Sequence, residues 1–366
     1  MNGDRMIIGV MTGTSMDAID ASLVRISGAG YKMRINMERF ESQPLGSLGN
    51  ELRELANGAL TSASEFARLG LSFGETIAQF LDTGFQPRRA DLVVLHGQTI
   101  YHKPPLTWQL INPWPVAARL RTPVLYDLRR ADLACGGQGA PLTPIADAIM
   151  LGADDRGRAI VNLGGFCNVT LLPALPRDSL DPQLISGMDI CPCNHWLDRA
   201  AKNYFDIAFD EEGERASKGN VVGGLREKLH SEWAGIIPRT SLGSDHEGLP
   251  YTNGLVGEDV LATLCDVIGS LIAESTMGSD EILCAGGSTR NSSLMDSIRA
   301  HTNIPVLTTQ EAGVDPLHRE AVAMAVLGAL SLDGLPIGLE SVTGVKQPIV
   351  SGSWCFPDGP HTLRHG

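Results

Sequence analysis

The fold is decided near the N-terminus by the stretch Ile7-Ile-Gly-Val-Met-Thr-Gly-Thr-Ser-Met-Asp-Ala-Ile-Asp-Ala-Ser-Leu-Val24. Two apolar runs, Met6–Val10 and Ile19–Val24, flank a polar tip that holds glycine, hydroxyls and a carboxylate. Apolar runs around a glycine-containing turn predict a β-hairpin. Backbone N–H groups at a glycine can approach an anion closely, and a carboxylate can hold hydrated Mg²⁺, so the tip is a candidate phosphate-binding loop. From this stretch alone, an ordinary hairpin remains the alternative.

The composition is that of an acidic globular protein. The 366 residues are 43% hydrophobic and 19% charged, with a formal net charge of −13. This length allows two domains, and the acidic balance argues against general binding to nucleic acid or an anionic membrane. We find no signal peptide and no apolar run long enough to cross a bilayer. The seven scattered cysteines indicate free thiols in a reducing compartment, so we expect a cytoplasmic location.

The second half of the chain repeats the pattern of the first. Ala159–Leu172 is again a strand, a glycine turn and a strand, whereas Tyr31–Phe40 is predicted as a third strand of the first half. The apolar runs Ala90–Leu95 and Glu281–Ala285 each end in a polar turn, as buried strands of α/β sheets do. Helical spacing of apolar residues predicts a helix over Ser64–Thr83. Two such α/β lobes favour a nucleotide clamp over one doubly wound sheet.

Six motifs occur along the chain. They are Met11-Thr-Gly-Thr-Ser-Met-Asp-Ala-Ile-Asp20, His96-Gly-Gln-Thr99, Asp127-Leu-Arg-Arg-Ala-Asp132, Gly136-Gly-Gln-Gly-Ala-Pro141, Asn162-Leu-Gly-Gly165 and Ser341-Val-Thr-Gly344. Together they resemble the motifs of the anhydro-N-acetylmuramic acid kinase family. They occur in order and cover nearly the whole chain. Each glycine motif alone is a weak sign of the family. The combination of the hairpin motif with His96-Gly-Gln-Thr99 and Gly136-Gly-Gln-Gly-Ala-Pro141 is a specific one.

This resemblance implies an α/β fold of two actin-like (ribonuclease H-like) lobes with a nucleotide cleft between them. The first lobe would comprise residues 1–157, completed by 336–366, and the second residues 158–335. Members of the family use ATP and Mg²⁺ to open a 1,6-anhydro sugar hydrolytically and to phosphorylate the released 6-hydroxyl. We therefore expect a small anhydro sugar from cell-wall turnover as the partner, with no nucleic acid or membrane partner. A homodimer is the oligomer to test.

The resemblance also implies roles for individual residues. Asp189 is the expected catalytic base, because a carboxylate within hydrogen-bonding reach makes water a better nucleophile. Asp17 and Glu320 are the expected metal contacts, since Mg²⁺ takes one or two carboxylates together with phosphate oxygens and water. The expected nucleotide contacts are Gly13, Thr14, Ser15, Met16, Asp17, Ala18, Ile19, Asp20, Asn162, Gly164, Gly165, Gly286, Gly287 and Asn291. The expected sugar contacts are His96, Gln98, Arg129 and Arg130.

An arginine suits the sugar site because N-acetylmuramic acid carries a lactyl carboxylate, which a guanidinium matches bidentately. Which of the two arginines makes that contact is left open by the sequence.

The chain departs from the family at several positions. Asp189 is followed by Ile190-Cys-Pro-Cys-Asn194 where the family has Thr-Gly-Pro-Gly-Asn, and Pro238–His246 stands where the family has Pro-Lys-Ser-Thr-Gly-Arg-Glu. Ala18 stands in place of a glycine, and Ser288 and Thr289 replace a glycine and an alanine. These departures leave a levoglucosan-type or other anhydro-sugar kinase open, as well as a non-catalytic nucleotide-binding protein of the same fold.

Overall fold

A computed structural model of the chain describes residues 3–13, 15–85, 90–234, 242, 248, 249, 252 and 254–359. Contacts between residues divide the chain into two compact units. The first unit comprises Met1–Met150, Arg177–Gln183 and Glu320–Gly366, and the second comprises Leu151–Pro176 and Leu184–Arg319. The predicted lobe boundaries at 157 and 335 stay a prediction, and the contacts divide the chain at other positions.

The first unit is built on a sheet that begins with the predicted hairpin. Its strands are β1 (Arg5–Thr12), β2 (Ala18–Ser27), β3 (Arg34–Pro44), β4 (Leu92–Leu95), β7 (Val124–Tyr126) and β13 (Ser353–Cys355), in the spatial order β13-β7-β4-β1-β2-β3. The first three strands are antiparallel neighbours, whereas β4 runs parallel to β1, and β7 parallel to β4. The third strand starts later than the sequence predicts, because Gly30–Lys32 forms a helical turn.

Helices and a small hairpin complete the first unit. The small hairpin consists of β5 (Gln98–Lys103) and β6 (Leu106–Leu110). The helices are α1 (Ser47–Ala56), α2 (Ala63–Gly84), α3 (Trp114–Leu120), α4 (Arg130–Ala134), α5 (Pro144–Leu151), α10 (Arg319–Leu332) and α11 (Glu340–Thr343). Helix α2 matches the prediction: Ser62 caps it by accepting a hydrogen bond from the Glu65 amide at 3.2 Å, and its apolar face is buried.

Helix α10 packs directly on the sheet of the first unit. A Cβ atom on Gly9 of β1 would lie 2.0 Å from the Ala321 carbonyl oxygen, and one on Gly328 would lie 2.2 Å from the Val94 side chain. Glycines at these two positions therefore let the helix backbone approach β1 and β4. This contact explains why residues from Glu320 onward belong to the first unit.

The second unit repeats the sheet of the first. Its strands are β8 (Arg158–Leu163), β9 (Phe166–Leu172), β10 (Ser186–Pro192), β11 (Glu281–Ala285) and β12 (Val306–Thr308), in the order β10-β9-β8-β11-β12. Its helices are α6 (Asn194–Phe205), α7 (Gly223–Ala234), α8 (Gly257–Ser275) and α9 (Ser292–His301). In both units an antiparallel meander is followed by parallel strands in the order third-second-first-fourth-fifth, the ribonuclease H-like topology. The sheet of the first unit has β13 as a sixth strand, antiparallel to β7 at the edge.

The predicted fold class of two α/β lobes of this type is therefore confirmed, together with the internal duplication. The predicted nucleotide cleft stays a prediction. Among the helices of the described part of the chain, none has the length and apolar character needed to cross a membrane.

Candidate functional site

In the first unit, three parallel strands bring the predicted residues to one edge of the sheet. Strands β1, β4 and β7 run parallel, so their carboxyl ends meet at the same edge. The hairpin tip follows β1, His96 follows β4 and Asp127 follows β7. The Thr12 hydroxyl donates to the Gly97 carbonyl at 3.4 Å, which joins the first two of these ends. The hairpin tip and the predicted sugar contacts thus share an edge.

The hairpin tip is fixed from one side by Arg53 of α1. Its guanidinium donates to the Ser15 carbonyl at 2.8 Å and to the Asp17 carboxylate at 3.3 Å. The Asp17 side chain is nonetheless 72% exposed, so its carboxylate is accessible to a metal ion. A Cβ on Gly13 would meet only the Ser15 hydroxyl oxygen, at 3.7 Å, so the backbone there is open to a ligand. Thr14 lies outside the described residues.

The other predicted hairpin contacts differ in what they can offer a nucleotide. Met16 and Ile19 are buried in the apolar core, 4% and 0% exposed, so only their backbone groups can contact one. Ala18 begins β2, and Asp20 accepts a hydrogen bond from the Ser42 hydroxyl at 2.6 Å. The nucleotide assignment for Met16 and Ile19 is therefore limited to the main chain.

The buried His96 and the half-buried Arg129 form a pair, and the hydrogen-bond partners of His96 decide where its proton lies. His96 is 3% exposed, and its Nδ1 lies 2.7 Å from the Gly97 carbonyl oxygen. Its Nε2 lies 2.9 Å and 3.2 Å from the Arg129 Nη2 and Nε atoms. Because a carbonyl only accepts and a guanidinium only donates, the proton sits on Nδ1 and the ring is neutral. Burial, together with the Arg129 charge, lowers the pKa of His96 to about 3.

Gln98 and Arg130 complete the predicted sugar contacts. Gln98 is buried at the start of β5, and its Oε1 atom has no hydrogen-bond donor among the described residues. Arg130 pairs with Asp127 at 3.1 Å, and its guanidinium lies 4.8 Å from the centre of the Trp108 ring. The Arg130 side chain remains 48% exposed. The two arginines thus differ: the half-buried Arg129 binds His96 and Gly139, whereas Arg130 is exposed.

Sequence reasoning assigned no role to Asp132, which the structure places in the same region. Its carboxylate is buried and accepts hydrogen bonds from the Gly139 amide and the Thr343 hydroxyl, each at 2.7 Å. All three residues lie in quoted motifs. Nothing in the sequence, however, indicated that positions so far apart meet.

In the second unit, the glycine turns also gather at one sheet edge. Strands β8 and β11 are parallel, so the turn at Gly164 and Gly165 and the turn at Gly286 and Gly287 follow neighbouring strand ends. A Cβ on Gly286, whose φ is +92°, would lie 2.7 Å from the Leu163 carbonyl oxygen. Glycine is therefore required there for close approach of the two turns.

Asn194 joins these two turns. Its backbone N–H donates to the Gly164 carbonyl at 3.0 Å, and its side-chain oxygen accepts a hydrogen bond from the Ser288 hydroxyl. The Ser288 that departs from the family thus has a structural partner. Asn162 lies beside the first turn, and the Arg319 Nη1 atom lies 3.4 Å from its side-chain oxygen.

Asn291 has a structural role that the sequence did not predict. It is the N-cap of α9, and its side-chain oxygen accepts a hydrogen bond from the Leu294 amide at 3.0 Å. The residue is also buried, 8% exposed. Its predicted contact with adenosine stays a prediction and would have to use the side-chain NH₂ group or the backbone.

Asp189 lies at an irregularity of β10. It pairs with Asn168 while Cys191 pairs with Cys167, so Ile190 is an extra residue in a β-bulge. Ile190 packs in the core of the second unit, 1% exposed, where it replaces the small residue of the family. The Asp189 carboxylate accepts a hydrogen bond from the Leu242 amide at 2.7 Å. The rest of the predicted segment Pro238–His246 lies outside the described residues.

Glu320, the second predicted metal contact, is half-buried in the first turn of α10. Within the described ranges, no three or more His, Cys, Asp or Glu side chains form a group that could hold a metal ion. Two separated carboxylates such as Asp17 and Glu320 nevertheless suit Mg²⁺, whose remaining ligands are phosphate oxygens and waters. The donor set is therefore compatible with Mg²⁺.

Comparison with known proteins decides the family. A family model described as anhydro-N-acetylmuramic acid kinase matches residues 5–357. The chain belongs to this family. An anhydro-N-acetylmuramic acid kinase from Salinibacter ruber is 33% identical over 97% of each chain. One from Bacillus cereus is 30% identical over 96% of this chain and 99% of its own.

Solved structures give weaker similarities. A ROK family glucokinase from Streptomyces griseus, in complex with glucose and AMPPNP, has a TM-score of 0.42 and 14% identity, covering 88% of this chain and 98% of its own. All six motifs quoted from the sequence lie within the region that matches the anhydro-N-acetylmuramic acid kinase family.

Proposed function

We propose that the protein is an ATP-dependent kinase that converts 1,6-anhydro-N-acetylmuramic acid and water into N-acetylmuramic acid 6-phosphate. The observation that carries this proposal is the family match over residues 5–357, with relatives of that name aligned along nearly the full chain. The matched enzymes are kinases, that is, phosphotransferases that act on a hydroxyl group. The placement of the predicted sugar contacts beside the hairpin tip supports the same reaction.

In the proposed reaction, Asp189 acts as the general base. Water attacks the anomeric carbon of the sugar, and its proton passes to the Asp189 carboxylate as the C1–O6 bond breaks. The released O6 oxygen then attacks the γ-phosphorus of ATP, and ADP leaves. The Leu242 amide holds one carboxylate oxygen, which orients the base. Orientation of this kind is a major part of how positioned groups speed a reaction.

Phosphate binding is assigned to the glycine turns. Gly13 offers an open backbone at the hairpin tip, and Ser15, whose carbonyl is held by Arg53, offers its hydroxyl. Further nucleotide contacts are assigned to Asn162, Gly164, Gly165, Gly286, Gly287 and Asn291. Asp17 and Glu320 would hold Mg²⁺, which neutralises charge that develops on the phosphate oxygens.

The lactyl carboxylate of the sugar is assigned to Arg130. Arg129 donates to His96 and to the Gly139 carbonyl, so several of its donors have protein partners. Arg130 is half-exposed, and Trp108 and Asp127 hold it in position. A guanidinium that is both accessible and pre-oriented is suited to bidentate binding of a carboxylate. The Gln98 Oε1 atom is a buried acceptor suited to a sugar hydroxyl or the acetamido N–H.

We further propose that the reaction takes place in the cytoplasm, where ATP is available and thiols stay reduced. The cysteines of the described chain are free, and all but Cys135 are buried. A homodimer is also proposed, since two-fold dimers are the commonest oligomers of soluble proteins. Sedimentation velocity tests this directly: a monomer at micromolar concentration would contradict the homodimer.

The substrate is tested by measuring ADP release with a panel of sugars. Turnover is expected with 1,6-anhydro-N-acetylmuramic acid and not with open-chain hexoses. Higher kcat/KM with levoglucosan would replace the proposed substrate by the alternative one. Absence of ADP release with every sugar, while an ATP analogue still binds in calorimetry, would point to a non-catalytic nucleotide-binding protein.

A further inference from the structure

The buried carboxylate of Asp132 joins two segments of the first unit that are far apart in the sequence. Asp132 lies in α4 and is 3% exposed. Its Oδ2 atom accepts a hydrogen bond from the Gly139 amide, and its Oδ1 atom accepts one from the Thr343 hydroxyl, both at 2.7 Å. Hydrogen bonds to a charged acceptor are about twice as strong as neutral ones. A buried carboxylate without them would be costly, so both donors are needed.

Two glycines leave room for this carboxylate. A Cβ on Gly137 would lie 2.1 Å from Oδ2 of Asp132, and one on Gly338 would lie 2.2 Å from Oδ1. The glycine loop (Gly136–Pro141) and the C-terminal segment (Gly338–Gly344) therefore pack against the carboxylate from two sides. They also bind each other, since the Gln138 amide donates to the Thr343 carbonyl at 2.8 Å.

The glycine loop in turn holds the predicted sugar-binding pair. The Gly139 carbonyl accepts a hydrogen bond from Arg129 Nη1 at 2.8 Å. Two other nitrogens of the same guanidinium donate to His96 Nε2. Thr343, Asp132, Gly139, Arg129 and His96 thus form one continuous chain of hydrogen bonds. Displacing Gly139 would move the Arg129 guanidinium, and with it the donors to His96 Nε2.

We propose that Asp132 is a positioning residue of the sugar site: it fixes Gly139 so that Arg129 holds His96, and Thr343 completes its hydrogen bonding from the C-terminal segment. This proposal rests on the proposed function, in which the sugar lies beside the predicted contacts His96, Gln98 and Arg130. The proposal also gives a role to the Ser341-Val-Thr-Gly344 motif, which belongs neither to the hairpin nor to the catalytic base.

The test compares Thr343→Val with Thr343→Ser. Valine keeps the shape of threonine but removes the donor to Asp132, whereas serine retains the hydroxyl. We expect Thr343→Val to raise the KM for 1,6-anhydro-N-acetylmuramic acid by about 10-fold or more, because small misplacements at a site are that costly. The KM for ATP should change less than about twofold, and Thr343→Ser should restore the sugar KM.

A nuclear magnetic resonance measurement separates this proposal from the proposed function. The ¹⁵N signals of His96, assigned with His96→Gln, should report the Nδ1–H tautomer in the wild type. In Thr343→Val the Nε2 signal should shift, because the Arg129 donors to Nε2 are displaced, while the Gly97 carbonyl still holds the proton on Nδ1. This readout needs no turnover, so a wild type that is inactive on the sugar would refute the proposed function and leave the positioning claim testable. Unchanged sugar KM and an unchanged Nε2 signal in Thr343→Val would overturn the proposal.

Asp132→Asn serves as a second variant should Thr343→Val fail to fold. The amide keeps the side-chain shape and an acceptor oxygen for Gly139, but it loses the charge that strengthens both hydrogen bonds. We expect a rise of roughly fivefold in the sugar KM, with the ATP KM unchanged. A sugar KM equal to that of the wild type would overturn the role of the carboxylate.

Discussion

The neutral, buried His96 makes the stability of the protein depend on pH in a defined window. In the folded chain, burial is the main cause that lowers the pKa of His96 to about 3, and the charge of Arg129 adds to it. In the unfolded chain, a histidine takes up a proton near pH 6.5. Between these two values the unfolded state binds the additional proton, so stability falls as the pH falls from about 6.5 towards 3.

The size of this effect follows from the two pKa values. At pH 5 the unfolded state gains about 2 kcal/mol from protonating this one histidine, because each pKa unit corresponds to about 1.4 kcal/mol. His102 and His195, whose pKa values burial lowers to about 4, contribute to the same fall. A comparison with a variant that lacks only His96 is therefore required.

The perturbation is His96→Gln, which keeps a neutral polar side chain but cannot titrate. Free energies of unfolding are measured by urea titration at several pH values between 7.5 and 5. Wild type should lose about 2 kcal/mol more than the variant over this range. Equal pH dependence in the two proteins would refute the claim that His96 is neutral in the folded state, and with it the assigned hydrogen bond from Arg129.

Three further outcomes follow from single features of the structure. Arg130→Gln should raise the KM for 1,6-anhydro-N-acetylmuramic acid by about 10- to 100-fold, because a charge-assisted hydrogen bond is lost. The KM for an anhydro sugar without the lactyl group should not change. Equal effects on both sugars would argue against a carboxylate contact. Gly9→Ala should destabilise the protein by about 3 kcal/mol or more, because its Cβ would overlap α10, whereas Gly3→Ala, with open space around it, should change stability by less than about 0.5 kcal/mol in the same urea titrations. Burial raises the pKa of Cys193 to about 12, so at pH 8 a thiol reagent should label the partly exposed Cys135 in the native protein and leave Cys193 unlabelled; rapid labelling of Cys193 would contradict its burial.

Much of the fold could be predicted because its signals are local. The hairpin Arg5–Ser27 follows from two apolar runs around a polar turn, and the buried β4 follows from a short continuous apolar run. The repetition of both signals in the second half predicted the duplicated sheet. Helix α2 followed from the helical spacing of its apolar residues. Each of these features is decided by residues within about twenty positions of one another.

Features that depend on distant contacts could not be predicted in this way. No local pattern indicates that α10 packs on β1, where Gly9 lacks the side chain that would separate the helix from the strand. The β-bulge that buries Ile190 depends on how β10 pairs with β9, which the residues of β10 alone do not determine.

The site was predicted unevenly for the same reason. Motif residues predicted the hairpin tip and the sugar contacts, but not the direction of their side chains. The side chains of Met16 and Ile19 lie in the core, which leaves only their backbone groups for the predicted nucleotide contact. The meeting of Asp132 with Thr343 joins positions 211 residues apart. No local pattern reports such a contact.

The measurement that tests the central claim most directly is the identity of the product made by the wild type and by Asp189→Asn. Wild type, given ATP and 1,6-anhydro-N-acetylmuramic acid, should yield ADP and a sugar heavier by one water and one phosphoryl group, as seen by mass spectrometry and ³¹P resonance. Asp189→Asn should lower kcat by about 10²- to 10⁴-fold, as expected for loss of a general base, while an ATP analogue binds as in the wild type. A phosphorylated product without added water, or near wild-type turnover by Asp189→Asn, would contradict the account.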